Sequence, residues 1–124
     1  MLTPIDEKRT VLELMVSIGY PAVVVTRATL GTLNHTAMTC RIIREAGLAV
    51  AGIVINRYHA DTTDLAETTN PRWLSKQNGV PVLATVPEAP GVAAGRATIP
   101  PEVIEAVGVL DWRSVCRSPT GAVR

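Results

Sequence analysis

AVVVT (Ala22 to Thr26) and AVAGIVI (Ala49 to Ile55), separated by RATLGTLNHTAMTCRIIREAGL (Arg27 to Leu48), decide the fold of this chain. Both flanking runs are continuously apolar and rich in β-branched residues, with no alternation, which is how a strand buried on both faces reads. The segment between them predicts a helix from about Leu33 to Ala46. Its inward stripe would be Leu33, Ala37, Met38, Ile42 and Ala46, with Gly47 at its C-terminal end. A strand, a helix and a second strand in so short a span form a right-handed βαβ crossover, so the two strands run parallel.

Upstream, Thr10 and Glu13 stand at capping-box spacing and open a helix with Val11, Leu14, Met15 and Ile18 on one face. Gly19 followed by Pro21 ends it. Downstream, Asn70 as N-cap with Pro71 at the first helical position predicts a short helix through Gln77, closed by Gly79. PVLATV (Pro81 to Val86) then makes a third strand. PEAPGVAAGRATIPP reads as a surface loop, Pro101 opens a last helix through Val107, and RSPTGAVR (117–124) reads as a frayed tail. The class is α/β, a parallel sheet with flanking helices. Three parallel strands make an unusually small sheet, which suggests that further strands belong beside them.

Composition narrows the function classes. The chain is 47% apolar with four aromatic residues (Tyr20, Tyr58, Trp73, Trp112) and no Phe, so its core is built from Val, Ile, Leu and Ala. Twelve Lys and Arg against eleven Asp and Glu give a net charge of +1, with no electrostatic footprint for nucleic acid or an anionic membrane. The most apolar run, Leu48 to Ile55, is far shorter than the ~20 residues of a membrane span. The start, MLTPIDEKRT, has acidic residues where a secretory signal would have a basic head, so no export signal is expected, and Cys40 and Cys116 have no metal-ligand or C-x-x-C spacing. A cytoplasmic chain with reduced thiols is expected.

Three segments carry candidate chemistry. LGTLNHT (Leu30 to Thr36) follows a strand's carboxyl end, where open α/β sheets bind ligands. Free N–H groups of Gly31, Thr32, Leu33 and Asn34 at a helix start favour a carboxylate or phosphate. The commoner meaning of this spacing is an ordinary capped helix in which Thr32 or Asn34 satisfies the first turn. INRY (Ile55 to Tyr58) brings the Asn56 amide, donor and acceptor together, to the same sheet edge, which suits a purine; a lone Asn after a strand is also a common turn-former. VPEAPG (Val86 to Gly91) ends the third strand there too, and Glu88 suits a ribose hydroxyl. Asp61, Asp64 and Glu67 read as a solvated face, His35, His59 and Cys40 lack zinc spacing, and no G-x-S-x-G turn exists for a nucleophile. No metal site is expected, and the phosphate loop G-x-x-x-x-G-K-[ST] does not occur: neither Lys8 nor Lys76 follows a glycine.

TVLELMVSIGYPAVVVTRATLGTLNHTAMT, the strand ending GIVINRY, and NPRWLSKQNGVPVLATVPE together resemble the C-terminal half of dethiobiotin synthetase. The resemblance covers most of residues 2 to 90, assigning 1–90 to that half and 91–124 to a loop, a terminal helix and a tail. The fold it implies is the C-terminal part of a P-loop NTPase-like, Rossmann-like three-layer domain. The activity it implies is ATP- and Mg2+-dependent closure of the ureido ring of dethiobiotin from diaminopelargonate and CO2.

By resemblance, Gly31, Thr32, Leu33 and Asn34 form the helix start that receives the substrate carboxylate across a homodimer interface. Asn56 is the adenine-contacting asparagine with Arg57 beside it, and Pro87, Glu88 and Ala89 line the adenine and ribose. The family's next ribose-contacting acid has no counterpart in APGVAAGR. Its P-loop, catalytic lysine and Mg2+ ligands all precede the family position that MLTPID matches, so no catalytic residue is assigned in this chain. The resemblance therefore implies recognition surfaces that act with a phosphate-binding half or in a homodimer. The alternatives are a non-catalytic partner-binding or dimerisation module, and a related P-loop amide-forming ligase.

Overall fold

A computed structural model describes residues 1–89 and 98–117. The elements run in the order α1 (Val11–Ile18), β1 (Ala22–Thr26), α2 (Thr32–Glu45), β2 (Val50–Tyr58), α3 (Leu65–Asn78), β3 (Val82–Pro87), α4 (Pro101–Gly108) and α5 (Trp112–Cys116). The surface loop expected over 90–97 and the tail from Ser118 lie outside the described residues.

The three strands form one sheet in the order β1-β2-β3, and both neighbouring pairs are parallel. Thr26 aligns with Ile55, Ile55 with Thr85, and Tyr58 with Pro87. The carboxyl ends of all three strands therefore share one edge. Helices α2 and α3 pack on each other and on the sheet. Ala22, Val24, Ile53 and Ile55 from the strands meet Cys40 and Ile43 of α2 and Leu74 of α3 in the main core.

The local signals explain most of these elements. Glu13 accepts the Thr10 N–H in the capping box of α1, and Gly19 ends that helix with a left-handed φ of 74°. Only β2 is buried on both faces: Gly52, Ile53, Val54 and Ile55 are consecutively buried. The expectation of a doubly buried β1 is corrected, because Val25 is 62% exposed. Helix α4 covers the second face at β3 and α5 reaches β2, so that face of β1 lacks a cover among the described residues.

Three further expectations change. The buried stripe of α2 is Thr32, Thr36, Cys40 and Ile43, rotated from the apolar stripe read in the sequence, and Met38 is exposed. The rotation has a polar cause: the Thr26 and Thr32 hydroxyls are 2.6 Å apart, Thr32 donates to the Arg27 carbonyl and Thr36 donates to Thr26. Helix α3 begins six residues before Pro71. Asp64 caps it, accepting from the N–H groups of Ala66 and Glu67, and Pro71 lies inside the helix. At the C-terminal end, Asp111 caps the short α5, which the sequence reading missed, by accepting from Arg113 and Ser114.

Candidate functional site

The carboxyl edge of the sheet gathers the candidate residues because parallel strands discharge their loops on one side. After β1, the chain turns at Gly31, whose φ of 89° lies in the left-handed region that favours glycine, and enters α2. Gly31 and Asn34 are exposed and Leu33 is half-buried. Leu30, just before the turn, is 93% exposed.

The helix start offers fewer donors than the sequence alone suggests. The Thr32 N–H donates to the Thr29 carbonyl at 3.2 Å, and the buried Thr32 hydroxyl turns inward to Arg27 and Thr26. Among the described residues, the N–H groups of Leu33 and Asn34 have no main-chain acceptor. These two amides, with the partial positive charge of a 14-residue helix behind them, favour an anion by roughly 0.3–1 kcal/mol where exposed.

The loop before α2 is held from outside. Asn70, buried in α3, donates its Nδ2 to the carbonyls of Ala28 at 2.7 Å and Thr29 at 3.3 Å. The Asn70-Pro71 pair predicts a helix cap, whereas Asn70 lies inside α3 and holds this loop.

At the end of β2, Asn56 and Arg57 are exposed and lie within the strand rather than after it. The Asn56 Oδ1 accepts the Arg57 N–H at 2.9 Å, and Arg57 adopts a φ of 54°. Oδ1 keeps a second lone pair and Nδ2 keeps both protons, so the amide can still accept from and donate to one heterocycle edge. At the end of β3, Pro87 and Ala89 are half-buried and Glu88 is exposed. No hydrogen bond joins Asn56 to the start of α2 among the described residues; the two share the edge through strand register alone.

Glu88 has a partner that the sequence reading did not foresee. His59, just past β2, places Nε2 2.7 Å from Glu88 Oε2 and Nδ1 3.3 Å from Glu67 Oε2. Glu67 is only 8% exposed, which corrects its reading as part of a solvated face. The hydrogen bond to Glu88, then the one to Glu67, raises the His59 pKa above the ordinary histidine value. One signal for this arrangement was present: Asp64 and Glu67 stand at the D-x-x-E spacing of a helix start.

Among the described residues, no group of three His, Cys, Asp or Glu side chains is arranged to hold a metal ion. The imidazole of His59 lies between its two carboxylates, so the three do not converge on a point. The donor set therefore does not fit Mg2+. No helix of the described residues is long and apolar enough to cross a membrane.

A family model described as an AAA domain matches residues 1–96, more than half of the chain. The chain belongs to that family. The family is P-loop NTPase-like, which agrees with the parallel α/β sheet. The chain is dethiobiotin synthetase-like in sequence. It is 38% identical over 84 residues to the ATP-dependent dethiobiotin synthetase BioD of Haloferax mediterranei, covering 68% of this chain and 35% of that protein. To the protein of the same name from Anaeromyxobacter sp. (strain K) it is 38% identical over 93 residues, covering 75% and 41%. To that from Bacillus subtilis (strain 168) it is 36% identical over 89 residues, covering 72% and 38%. The chain thus spans well under half the length of these curated relatives.

Proposed function

We propose that this chain supplies the substrate- and adenine-recognising half of a dethiobiotin synthetase site, for ATP-dependent closure of the ureido ring from diaminopelargonate and CO2. One observation carries the reading. The glycine turn at Gly31 and the free amides of Leu33 and Asn34 lie on the same sheet edge as Asn56 and the Pro87–Ala89 segment. An acid substrate and a nucleotide base thereby find donors and acceptors along one edge of the sheet.

In this reading the substrate carboxylate accepts from the Leu33 and Asn34 N–H groups, and Gly31 leaves the approach clear: a Cβ there would meet nothing within 4 Å. Asn56 pairs with the adenine edge, Arg57 flanks it, and Pro87, Glu88 and Ala89 border the adenine and ribose. Thr32 contributes by fixing the helix start to β1. The segment that cradles the ATP phosphates and ligates Mg2+ is supplied by a separate N-terminal half, and the completed unit pairs as a homodimer. The assembly would act in the cytoplasm. Residues 1–90 form the recognition half, and α4 and α5 lie outside it.

Calorimetric titration of the chain with diaminopelargonate, and separately with ATP, tests the proposal. Binding of diaminopelargonate that is weakened by Gly31→Val, and of ATP that is weakened by Asn56→Ala, is the expected result. Heats unchanged by either substitution would sink it. The exposed apolar side chains Leu14, Val16, Ile18 and Tyr20 of α1 and its flank favour a second reading, a partner-binding module without chemistry. That reading predicts no binding of either small molecule.

A further inference from the structure

The His59 ring has a carboxylate oxygen facing each of its nitrogens, and the two carboxylates come from different elements. Glu67 belongs to the first turn of α3, whereas Glu88 follows β3. A neutral imidazole has one N–H donor and one lone pair, so it can donate to only one of these acceptors. Only the imidazolium, with a proton on both nitrogens, completes the bridge.

Loss of that proton does not affect the two carboxylates alike. Glu67 is nearly buried, at the N-terminal end of α3, and cannot leave the ring for solvent without repacking. Glu88 is exposed and lies just past the end of β3, so it is the partner released when Nε2 becomes a lone pair. The charged groups facing the ring are Glu67 from α3 and Glu88 after β3. Among the described residues no cation other than His59 is hydrogen-bonded to either carboxylate.

We propose that His59 is a positioning residue: its imidazolium pins Glu88 to α3 and holds the Pro87–Ala89 segment in the geometry that receives a nucleoside. This rests on the nucleotide reading of the site given above. With Oε2 held by His59, Oε1 of Glu88 is left to accept from a ribose hydroxyl. Deprotonation frees the carboxylate to rotate into water, and nucleoside binding must then order it again. The site accordingly binds its nucleoside better when His59 is charged.

The test uses the full chain, with adenosine as the probe because it engages base and ribose without phosphates. The His59 ring protons and the backbone amides of Asn56, Glu88 and Ala89 are followed by NMR across pH 5 to 9, in wild type, His59→Gln and Glu88→Gln. His59 is expected to titrate above the ordinary value of about 6.5, and Glu88→Gln to lower its midpoint toward that value. Adenosine affinity is expected to fall roughly three- to tenfold as pH rises through the wild-type midpoint, and to be flat in His59→Gln.

An ordinary His59 midpoint that Glu88→Gln does not move overturns the bridge itself. An equal pH slope in His59→Gln overturns the positioning role. If adenosine shifts none of the three amides at any pH, the nucleotide reading falls and the positioning role with it, while the His59 midpoint still decides the bridge independently.

Discussion

Asn70 is the most informative residue to perturb, because it joins the helix α3 to the loop that presents Gly31. The residue is 6% exposed, and its stronger acceptor, the Ala28 carbonyl 2.7 Å away, belongs to a residue that is 1% exposed. Asn70→Ala removes the donor and leaves that carbonyl where water does not readily replace it. A buried acceptor left unpaired costs about 1–3 kcal/mol. The second contact, at 3.3 Å to Thr29, is long and adds less. A loss of about 2 kcal/mol follows, a large part of the ~5–15 kcal/mol that separates a folded domain from its unfolded chain.

Urea unfolding followed by circular dichroism measures it. With a slope of about 2 kcal/mol per molar, the midpoint should fall by about 1 M at unchanged slope. Asn70→Asp keeps the shape but, when ionised, turns a carboxylate oxygen toward two carbonyl oxygens, so at neutral pH it should be the less stable variant. Burial and those carbonyls raise its folded-state pKa, so the native state holds a proton that the unfolded chain releases near pH 3.9. The penalty of Asn70→Asp therefore grows as pH rises from that value and shrinks in acid, where the protonated group donates again. An Asn70→Ala chain within about 0.5 kcal/mol of wild type, or an Asn70→Asp penalty that does not shrink in acid, would refute the reasoning.

Other perturbations test neighbouring parts of the fold. Gly52→Ala would place a Cβ 2.5 Å from Leu83 Cγ and 2.7 Å from its Cδ1, and should lower stability by about 1–3 kcal/mol, measured by the same unfolding. Adding Leu83→Ala should make Gly52→Ala far less harmful than it is in the wild-type background. Asp64→Ala removes the cap that accepts from Ala66 and Glu67, a loss of about 1 kcal/mol, and should lower the thermal midpoint by roughly 4 °C. Val25 and Leu30 leave β1 and its exit loop apolar and exposed, and nothing among the described residues pairs with the outer edge of β1. The chain should sediment as an associated species, and Val25→Lys should shift it toward monomer.

The fold was legible wherever one physical signal dominated. The β-branched runs placed β1 and β2, and PVLATV placed β3, although of the three strands β2 alone is buried on both faces. Thr10 with Glu13 and Gly19 placed α1 to the residue because caps act locally. The start of α3 was misread because Asn70-Pro71 imitates a helix start, whereas Asp64 and Glu67 had been read only as surface charge. The inward face of α2 was misread because threonines serve as core residues there, their hydroxyls satisfied by Thr26 and Arg27. The edge location of Gly31, Asn56 and Glu88 followed from the βαβ pattern. The His59 bridge did not, because it joins residues 59, 67 and 88 by folding alone.

The misread start of α3 and the unforeseen His59 bridge have a common origin in the buried face of α3. Glu67, Asn70, Leu74 and Asn78 form its buried face, and three of the four are polar. Glu67 reaches His59 after β2 and, through it, Glu88 after β3. Asn70 reaches the loop after β1, and the Asn78 carbonyl accepts from Arg44 of α2 at 2.6 Å. An apolar stripe at these positions would bury more carbon, but it would strand the Ala28 carbonyl and lose the bridge that holds Glu88. Hydrophobic burial is indifferent to small shifts in where a strand ends, whereas hydrogen bonds of 2.7 Å are not. The polar face of α3 therefore fixes the loops after all three strands relative to one another. The geometry of the candidate site is set by a helix that contributes no residue to it.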